Sequence, residues 1–558
     1  MTAETKNCQN CKKDFTIEPQ DFSFYEKMKV PPPSWCPECR MIRRLSCANG
    51  WSLFWRNCDK CSKRTLSMYP PSSKLIIWCQ TCWWADDWDG TEYGMDYDEK
   101  RPFLAQLKEL SEKTPYQALE TDYPTLKNCD YCNALGYCKN CLLAIWADNC
   151  ENTFHSSIIN ENKDIADCLL VFSSELCYES RWLHKSYRTF YSQDCDACNE
   201  VWFSRNCYGC TNCIGCVNLR GSSYKIFNIQ YTKEEYFEKL KELKLDTRTG
   251  MEKLKKEAEA FWAKFPYRYY KGDNFNLNVT GEYIHKSKNS KNLYIVGVAQ
   301  NCRYCQLITY KPASDCMDYS GWGHGAELVY ESGNVGVNVS NVKFSQYCWP
   351  EILNVEYSFW STSIKNCFGC INLKRKNYSI LNKEYSKEEY EKLKTQIIES
   401  MLEDKTYGEF PLSVFSKFAY NNSNANKFFP KTKDEAVKMA YTWNEEADKQ
   451  AEPTLKGENL PETIDEVSDS ILSEVIACSA CNRRYKISPL EFNLLKKMRI
   501  PLPTKCLKCR EDEQFSKIPK PRLYTRPCDK CGISLETSFA PDDPSIVYCT
   551  KDYQAEFL

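Results

Sequence analysis

Histidine is nearly missing, with 4 in 558 residues. That scarcity removes most imidazole acid–base chemistry and histidine-rich metal centres. Long apolar runs are missing too. The longest, Cys141 to Ala147, is far short of the roughly 20 residues that span a bilayer. The N-terminal stretch MTAETKNCQN carries no basic-then-apolar leader. No phosphate-binding Gly-rich loop, GxSxG elbow or HExxH helix occurs. Together these absences predict a cytoplasmic, non-enzymatic protein with no membrane partner. The length suggests three to four domains at about 150 residues each.

What the chain has instead is cysteine, 35 residues of it. A long chain without an export signal and with an odd count uses thiols as metal ligands or packing residues rather than as disulfides. Cys8-x2-Cys11 and Cys36-x2-Cys39 form one pair of CxxC motifs, and Cys58-x2-Cys61 and Cys79-x2-Cys82 a second. Each pair supplies four thiolates, and tetrahedral zinc is the usual outcome, with iron or a redox dithiol as alternatives. Adding 470 to these numbers lands on Cys478, Cys481, Cys506 and Cys509, then on Cys528, Cys531 and Cys549. A two-site module is therefore present twice. Cys82 alone maps onto a different residue, Asp552, whose carboxylate can complete a fourth and weaker site. About four Zn2+ ions are expected.

Each module reads as a short strand, a helix opened by Pro19, and a second helix, CRMIRRL, placing Arg40, Arg43 and Arg44 on one face. This resembles treble-clef or zinc-ribbon folds. The segment CQNCKKDFTIEPQDFSFYEKMKVPPPSWCPECR is similar to the small bacterial domain termed "probable zinc ribbon", a resemblance that implies zinc and no activity. Net charge is −1 overall, yet residues 1–66 hold 12 Lys/Arg against 7 Asp/Glu, and residues 478–530 hold 14 against 5. Basic ends point to a polyanion such as nucleic acid or a ribonucleoprotein. The candidate contacts are Arg40, Arg43, Arg44, Arg56, Lys63, Arg64, Arg483, Arg484, Arg510 and Arg526, with Trp51 and Trp55 available for base stacking. The alternative is that these arginines are solvated and the tryptophans plug a small core.

The middle is duplicated at an offset of 154, from CIGCVNLRGSSYKIFNIQYTKEEYFEKL at Cys213 to CFGCINLKRKNYSILNKEYSKEEYEKL at Cys367. Thr232 and Ser386 precede Lys-Glu-Glu as helix N-caps, predicting helices over about 232–263 and 386–403. Upstream, cysteines recur on a nine-residue grid in three phases, often after Asn or Asp. The pattern predicts a parallel β-solenoid with 18-residue coils and cysteines stacked inward. Two metal readings compete with the ladder: an iron–sulfur run at Cys207, Cys210, Cys213 and Cys216, and a site at Cys129, Cys132, Cys138 and Cys141. DCMDYSGWGHG, with Cys316, His324, Asp315 and Asp318, is the one cluster with a nucleophile-like Cys/His pair.

The layout predicts a mainly β protein with a duplicated parallel β-solenoid-like middle, helical segments and tandem treble-clef/zinc-ribbon modules at both ends. Ribbons A and B occupy 1–50 and 51–98. A first solenoid half (99–230), a helical connector (231–272), a second half (273–385), a helical segment (386–443) and an acidic linker (444–475) follow. Copies of the ribbons take 476–515 and 516–558. Through FYEKMKVPPPSWCPECR, FGCINLKRKNYSILNKEYSKEEY and CDKCGISLETSFAPDDPSIVYC, the chain resembles a family of long cysteine-rich proteins from candidate-phyla (Patescibacteria-type) bacteria. It departs from that family at Lys225, Ser379 and Asp552, where cysteine is common. The expected function is a zinc-binding scaffold that binds nucleic acid through its ends; the alternatives are a protein-assembly platform on the solenoid face or a metal- or iron–sulfur-dependent enzyme.

Overall fold

In the computed structural model, which describes residues 2–273, 275–309, 312–323, 325–410, 416–445 and 452–557, the middle of the chain is built in triplets. From Asn128 to Asn206 every third residue is left-handed, with φ between 43° and 60°. For an L-residue this conformation costs about 1–2 kcal/mol. Backbone pairing offsets it, because each left-handed N–H donates to the carbonyl 13 residues earlier: Leu143 to Asp130, Asn149 to Gly136, His155 to Leu142. Asparagine tolerates the conformation best, and Asn128, Asn140, Asn152 and Asp164 form an outer side-chain ladder of 3.0–3.1 Å hydrogen bonds.

Four triplets make one 12-residue coil, as the register Ile145, Ser157, Leu169, Arg181, Gln193 shows. The protein is mainly β, with about 21 solenoid turns and 25% helix. The residue after each left-handed one faces the interior, and every cysteine from Cys129 to Cys216 occupies such a position. The 18-residue coil is thus corrected to 12, and the three nine-residue phases are one grid of three seen at every third step.

The interior stacks in columns with different duties. Leu135, Ala147, Ile159, Val171, Leu183 and Cys195 form an apolar column within one sheet. The columns between the strands hold small polar acceptors for N–H groups that the strands leave unpaired. Ser156 Oγ accepts from Cys168 N at 3.0 Å, Ser180 from Ser192 and Ser192 from Ser204, both at 3.1 Å. Ser204 accepts from Cys216 at 3.1 Å, and Cys132 and Cys216 thiols play the same part toward Ala144 and Asn228 at 3.4 Å. Serine and cysteine are therefore interchangeable corner residues.

The second half obeys the same rule with wider coils. Gln306 pairs with Ser320, Tyr330 with Lys343 and Leu353 with Lys365, giving coils of 14, 13 and 12 residues. That insertion explains its looser cysteine spacing. Each half ends in an antiparallel hairpin followed by a helix, Lys233–Glu242 or Lys387–Glu403. Thr232–Glu235 and Ser386–Glu389 capping boxes start them, as expected, and Tyr236 and Tyr390 are buried. The connector expected as one helix is broken, a second helix running over Arg248–Trp262.

The terminal modules cross over. Ile77 and Trp78 of the first pair Tyr116 and Gln117, just ahead of the first solenoid half. Their counterparts Val547 and Tyr548 pair Tyr267 and Arg268, just ahead of the second. Ribbon A, however, packs on the second half, where Lys27 meets Asp315, and its copy packs on the first, where Lys497 meets Asp164. Arg522 of the C-terminal module also pairs Glu38 of the N-terminal one at 2.6 Å, so the two ends touch.

Because Ser204 is fully buried and makes both the Cys216 N–H bond and a 2.9 Å bond to the Trp202 carbonyl, Ser204→Ala should cost about 1–3 kcal/mol. Ser204→Cys should cost less than about 1 kcal/mol. Urea denaturation midpoints of the two variants check the ranking.

Candidate metal centres and the arginine clamps

All four terminal ligand sets converge. Within Cys8/Cys11/Cys36/Cys39, Cys58/Cys61/Cys79/Cys82, Cys478/Cys481/Cys506/Cys509 and Cys528/Cys531/Cys549/Asp552, the ligand atoms lie within 4.8 Å of one another. The local sequence makes this so. The first CxxC of each set is the turn of a hairpin, as between Glu4–Asn7 and Asp14–Ile17. The third cysteine precedes a helix: Cys36 and Cys506 are N-caps of Pro37–Ser46 and Leu507–Ser516, and Cys79 of Gln80–Trp84. A helix N-terminus favours thiolate there. Hydrogen bonds from neighbouring groups, the Cys39 thiol foremost, hold the Cys36 thiol down at about 5, whereas burial raises the Cys79 and Cys506 thiols.

The spacing suits a tetrahedral ion. A 2.3 Å metal–sulfur bond implies sulfurs about 3.8 Å apart, and Cys11–Cys36, Cys61–Cys79, Cys481–Cys506 and Cys531–Cys549 measure 3.8, 3.8, 3.7 and 3.9 Å. Backbone N–H groups of Cys36, Cys79, Cys506 and Cys549 donate to Cys8, Cys58, Cys478 and Cys528 sulfur at 3.2–3.3 Å. Asp552 Oδ2 stands 3.2 Å from both Cys528 and Cys549 sulfur, in the place of a fourth thiolate. These residues fit a structural metal, with no open coordination position.

Among the described residues the solenoid thiols form no such group. Cys207, Cys210, Cys213 and Cys216 face inward from four successive triplets, and their thiols donate to carbonyls. Cys129, Cys132, Cys138 and Cys141 do likewise. Cys316 is fully buried and donates to the Ser314 carbonyl at 3.2 Å. His324 lies outside the described residues. Asp318 is engaged in ion pairs with Arg40 and Arg44.

The arginines of CRMIRRL enter the protein. Arg40, Arg43 and Arg44 are at most 4% exposed. Arg40 meets Asp318 at 2.8 Å, Arg43 meets Glu331 at 2.9 Å, and Arg44 meets Asp318 at 3.2 Å and Glu331 at 3.0 Å. Arg510, the copy of Arg40, is equally buried between Asp167 and Glu491. Asp167 and Asp318 occupy matching left-handed positions in the two solenoid halves, 151 residues apart. Burial pushes the Asp167 carboxyl up, but Arg510 and His155 more than offset it and hold it below the usual carboxylate range. All four arginines are withdrawn from any outside polyanion, since an ion pair this dry is part of the core.

Arg56 and Arg526 stay with their own modules, pairing Asp59 and Asp529 and reaching the Pro70 carbonyl and those of Ala540, Asp543 and Ser545. Arg483 and Arg484 are half-buried, Arg484 donating to the Asn482 carbonyl. Lys63 and Arg64 are exposed, with the Arg64 guanidinium 4.7 Å from the Trp55 ring. The acids that receive the arginines were the hidden half of the site. Asp167 alone leaves a trace in the sequence, as an Asp before inward Cys168; Asp318 precedes Tyr319 and Glu331 precedes Ser332.

No protein-family model, curated protein or solved structure matches the chain. Among the described residues no helix is long and apolar enough to cross a membrane.

Arg510→Met leaves Glu491 buried without its cation and Asp167 with His155 alone, and should destabilise the protein by about 3–5 kcal/mol. Arg64→Met, on the surface, should change stability by less than about 0.5 kcal/mol. Chemical denaturation of both variants checks the contrast.

Proposed function

We propose that the protein is a zinc-clamped scaffold, in which four structural zinc ions fold the terminal modules and those modules lock two solenoid halves together. The observation that carries this reading is the use of the same helix for both tasks. Pro37–Ser46 and Leu507–Ser516 begin at metal-ligand cysteines and go on to bury Arg40 and Arg510 against solenoid aspartates. A metal that orders the helix start therefore sets the clamp. Closed tetrahedral sets of thiolates are the usual shell of structural zinc; iron takes the same shell, and elemental analysis separates the two.

A narrower nucleic-acid reading rests on one surface feature. Trp55 and Tyr131 are 42% and 43% exposed and meet edge to face at 5.9 Å, with Arg64 beside them. Aromatic faces next to cations suit sequence-tolerant stacking of single strands. Salt-sensitive binding of a single-stranded RNA, lost in a Lys63→Glu/Arg64→Glu variant, is the expected result; binding unchanged in that variant removes this reading.

Protein purified without added metal should carry about four zincs and no visible absorption. On titration with a chelator, the Cys528/Cys531/Cys549/Asp552 ion should leave first, because it has one carboxylate in place of a thiolate. Asp552→Ala should lower the content to about three zincs, and Asp552→Cys should delay the first release. Elemental analysis giving iron would remove the zinc reading.

A further inference from the structure

A cleft of about 590 Å³ lies between the two solenoid halves, lined by none of the metal-centre ligands, and falls within the size of small-molecule sites. Its apolar lining includes four tryptophans, Trp84 from the N-terminal module, Trp146 from the first half, and Trp322 and Trp349 from the second, beside aliphatic side chains such as Leu135 and Leu307. Trp322 and Trp349 stand 5.7 Å apart with rings tilted at 47°. Its polar wall is Glu120, Asp122 and Asp148.

These carboxyls lack the partners that every other buried acid in the clamps has. Glu120, 5% exposed, is met only by the Asn334 amide, at 2.8 and 3.0 Å. Burial, with Asp148 adding its charge, pushes Glu120 up to about 8; burial and Asp122 push Asp148 up to about 7. Burial also raises Asp122. The cation on the lining, Arg375, sits at an exposed position. Thr121, 4% exposed, adds a buried hydroxyl with no hydrogen-bond partner. Glu120 is buried without a counter-charge, Asp122 and Asp148 are half-buried beside it, and a buried hydroxyl without a partner is costly to maintain unless something fills the space.

The chemistry of the walls selects the occupant. Three carboxyls repel a phosphate or carboxylate ligand. Glu120 and Asp148, raised toward neutrality, are largely protonated on their own, and a cation entering the cleft draws them into the ionised form, which a neutral ligand does not. Indole faces attract cations, most strongly when water is excluded, and soft alkylated ammonium groups suit them best. We propose that this cleft is a binding site for a small organic cation bearing an alkylated ammonium group, held by the tryptophan faces and countered by Glu120, Asp122 and Asp148. The site rests on the zinc-clamp reading for the placing of its walls, while none of its residues is itself a metal ligand or a clamp arginine, so metal content and choline affinity read the two separately.

Isothermal titration of the full-length protein with choline, and with its uncharged isostere 3,3-dimethylbutan-1-ol, tests the proposal. Saturable 1:1 binding of choline, with the isostere at least 10-fold weaker, is expected. Trp322→Ala and Asp148→Asn should each weaken choline at least 10-fold while leaving metal content unchanged. Asp148→Asn is nearly isosteric and keeps the test valid if Trp322→Ala fails to fold. No choline binding up to 10 mM, equal binding of the isostere, or affinity unchanged in the folded Asp148→Asn variant would each overturn it.

Discussion

The left-handed residue in every third place is the constraint from which the middle of the molecule follows. It turns the backbone sharply enough for four triplets to close a 12-residue coil. It also aims its N–H at the coil before, so the strain is spread over a continuous ladder rather than stored at one point. The price is a narrow interior. Only small or slender groups fit the corners, and most accept a hydrogen bond from the next coil, which favours serine, cysteine and an occasional asparagine such as Asn162, with Ala144 filling one corner without an acceptor. Abundant cysteine in this region is thus a packing outcome, a small side chain with a weak donor and acceptor. The cysteines at the ends answer to a different demand, convergence on a point.

Cross-over docking is the second organising feature. The N-terminal ribbon A reaches past the first solenoid half to the second, and its copy makes the reciprocal journey. Lys27–Asp315 and Lys497–Asp164 repeat the arrangement at the rim, where they count for little, while Arg40–Asp318 and Arg510–Asp167 repeat it in the dry core. The N-terminal clamp is the richer of the two, because Arg43 and Arg44 correspond to Glu513 and Gln514 in the copy. Glu513 instead gathers Lys255, Lys505 and Lys517 nearer the surface.

Much of this was legible from residues alone. The ligand sets were readable because CxxC spacing is local, and the 470-residue offset exposed the second copy, including Asp552. The β-solenoid was readable from the periodic cysteines. Its coil length was not, because serine, alanine and valine share the inward positions and hide two of every three steps. Arginine burial was illegible for another reason: Arg40 and Asp318 are 278 residues apart, and composition sees only that the ends are basic. Their charge is in large part a counterweight to acids on the solenoid. The cleft was hidden similarly, since Trp84, Trp146 and Trp349 come together only when the halves face one another.

The reciprocal docking has a consequence for assembly. Each solenoid half receives ribbon B from the module nearest in sequence to its own start or carried back to it, and ribbon A from the opposite module. Cutting the chain between the halves would leave Arg40 with Asp167 on one fragment and Arg510 with Asp318 on the other, so neither fragment holds a clamp pair of the native kind by itself. Both clamps, Arg40–Asp318 and Arg510–Asp167, would return only when the two fragments reassociate.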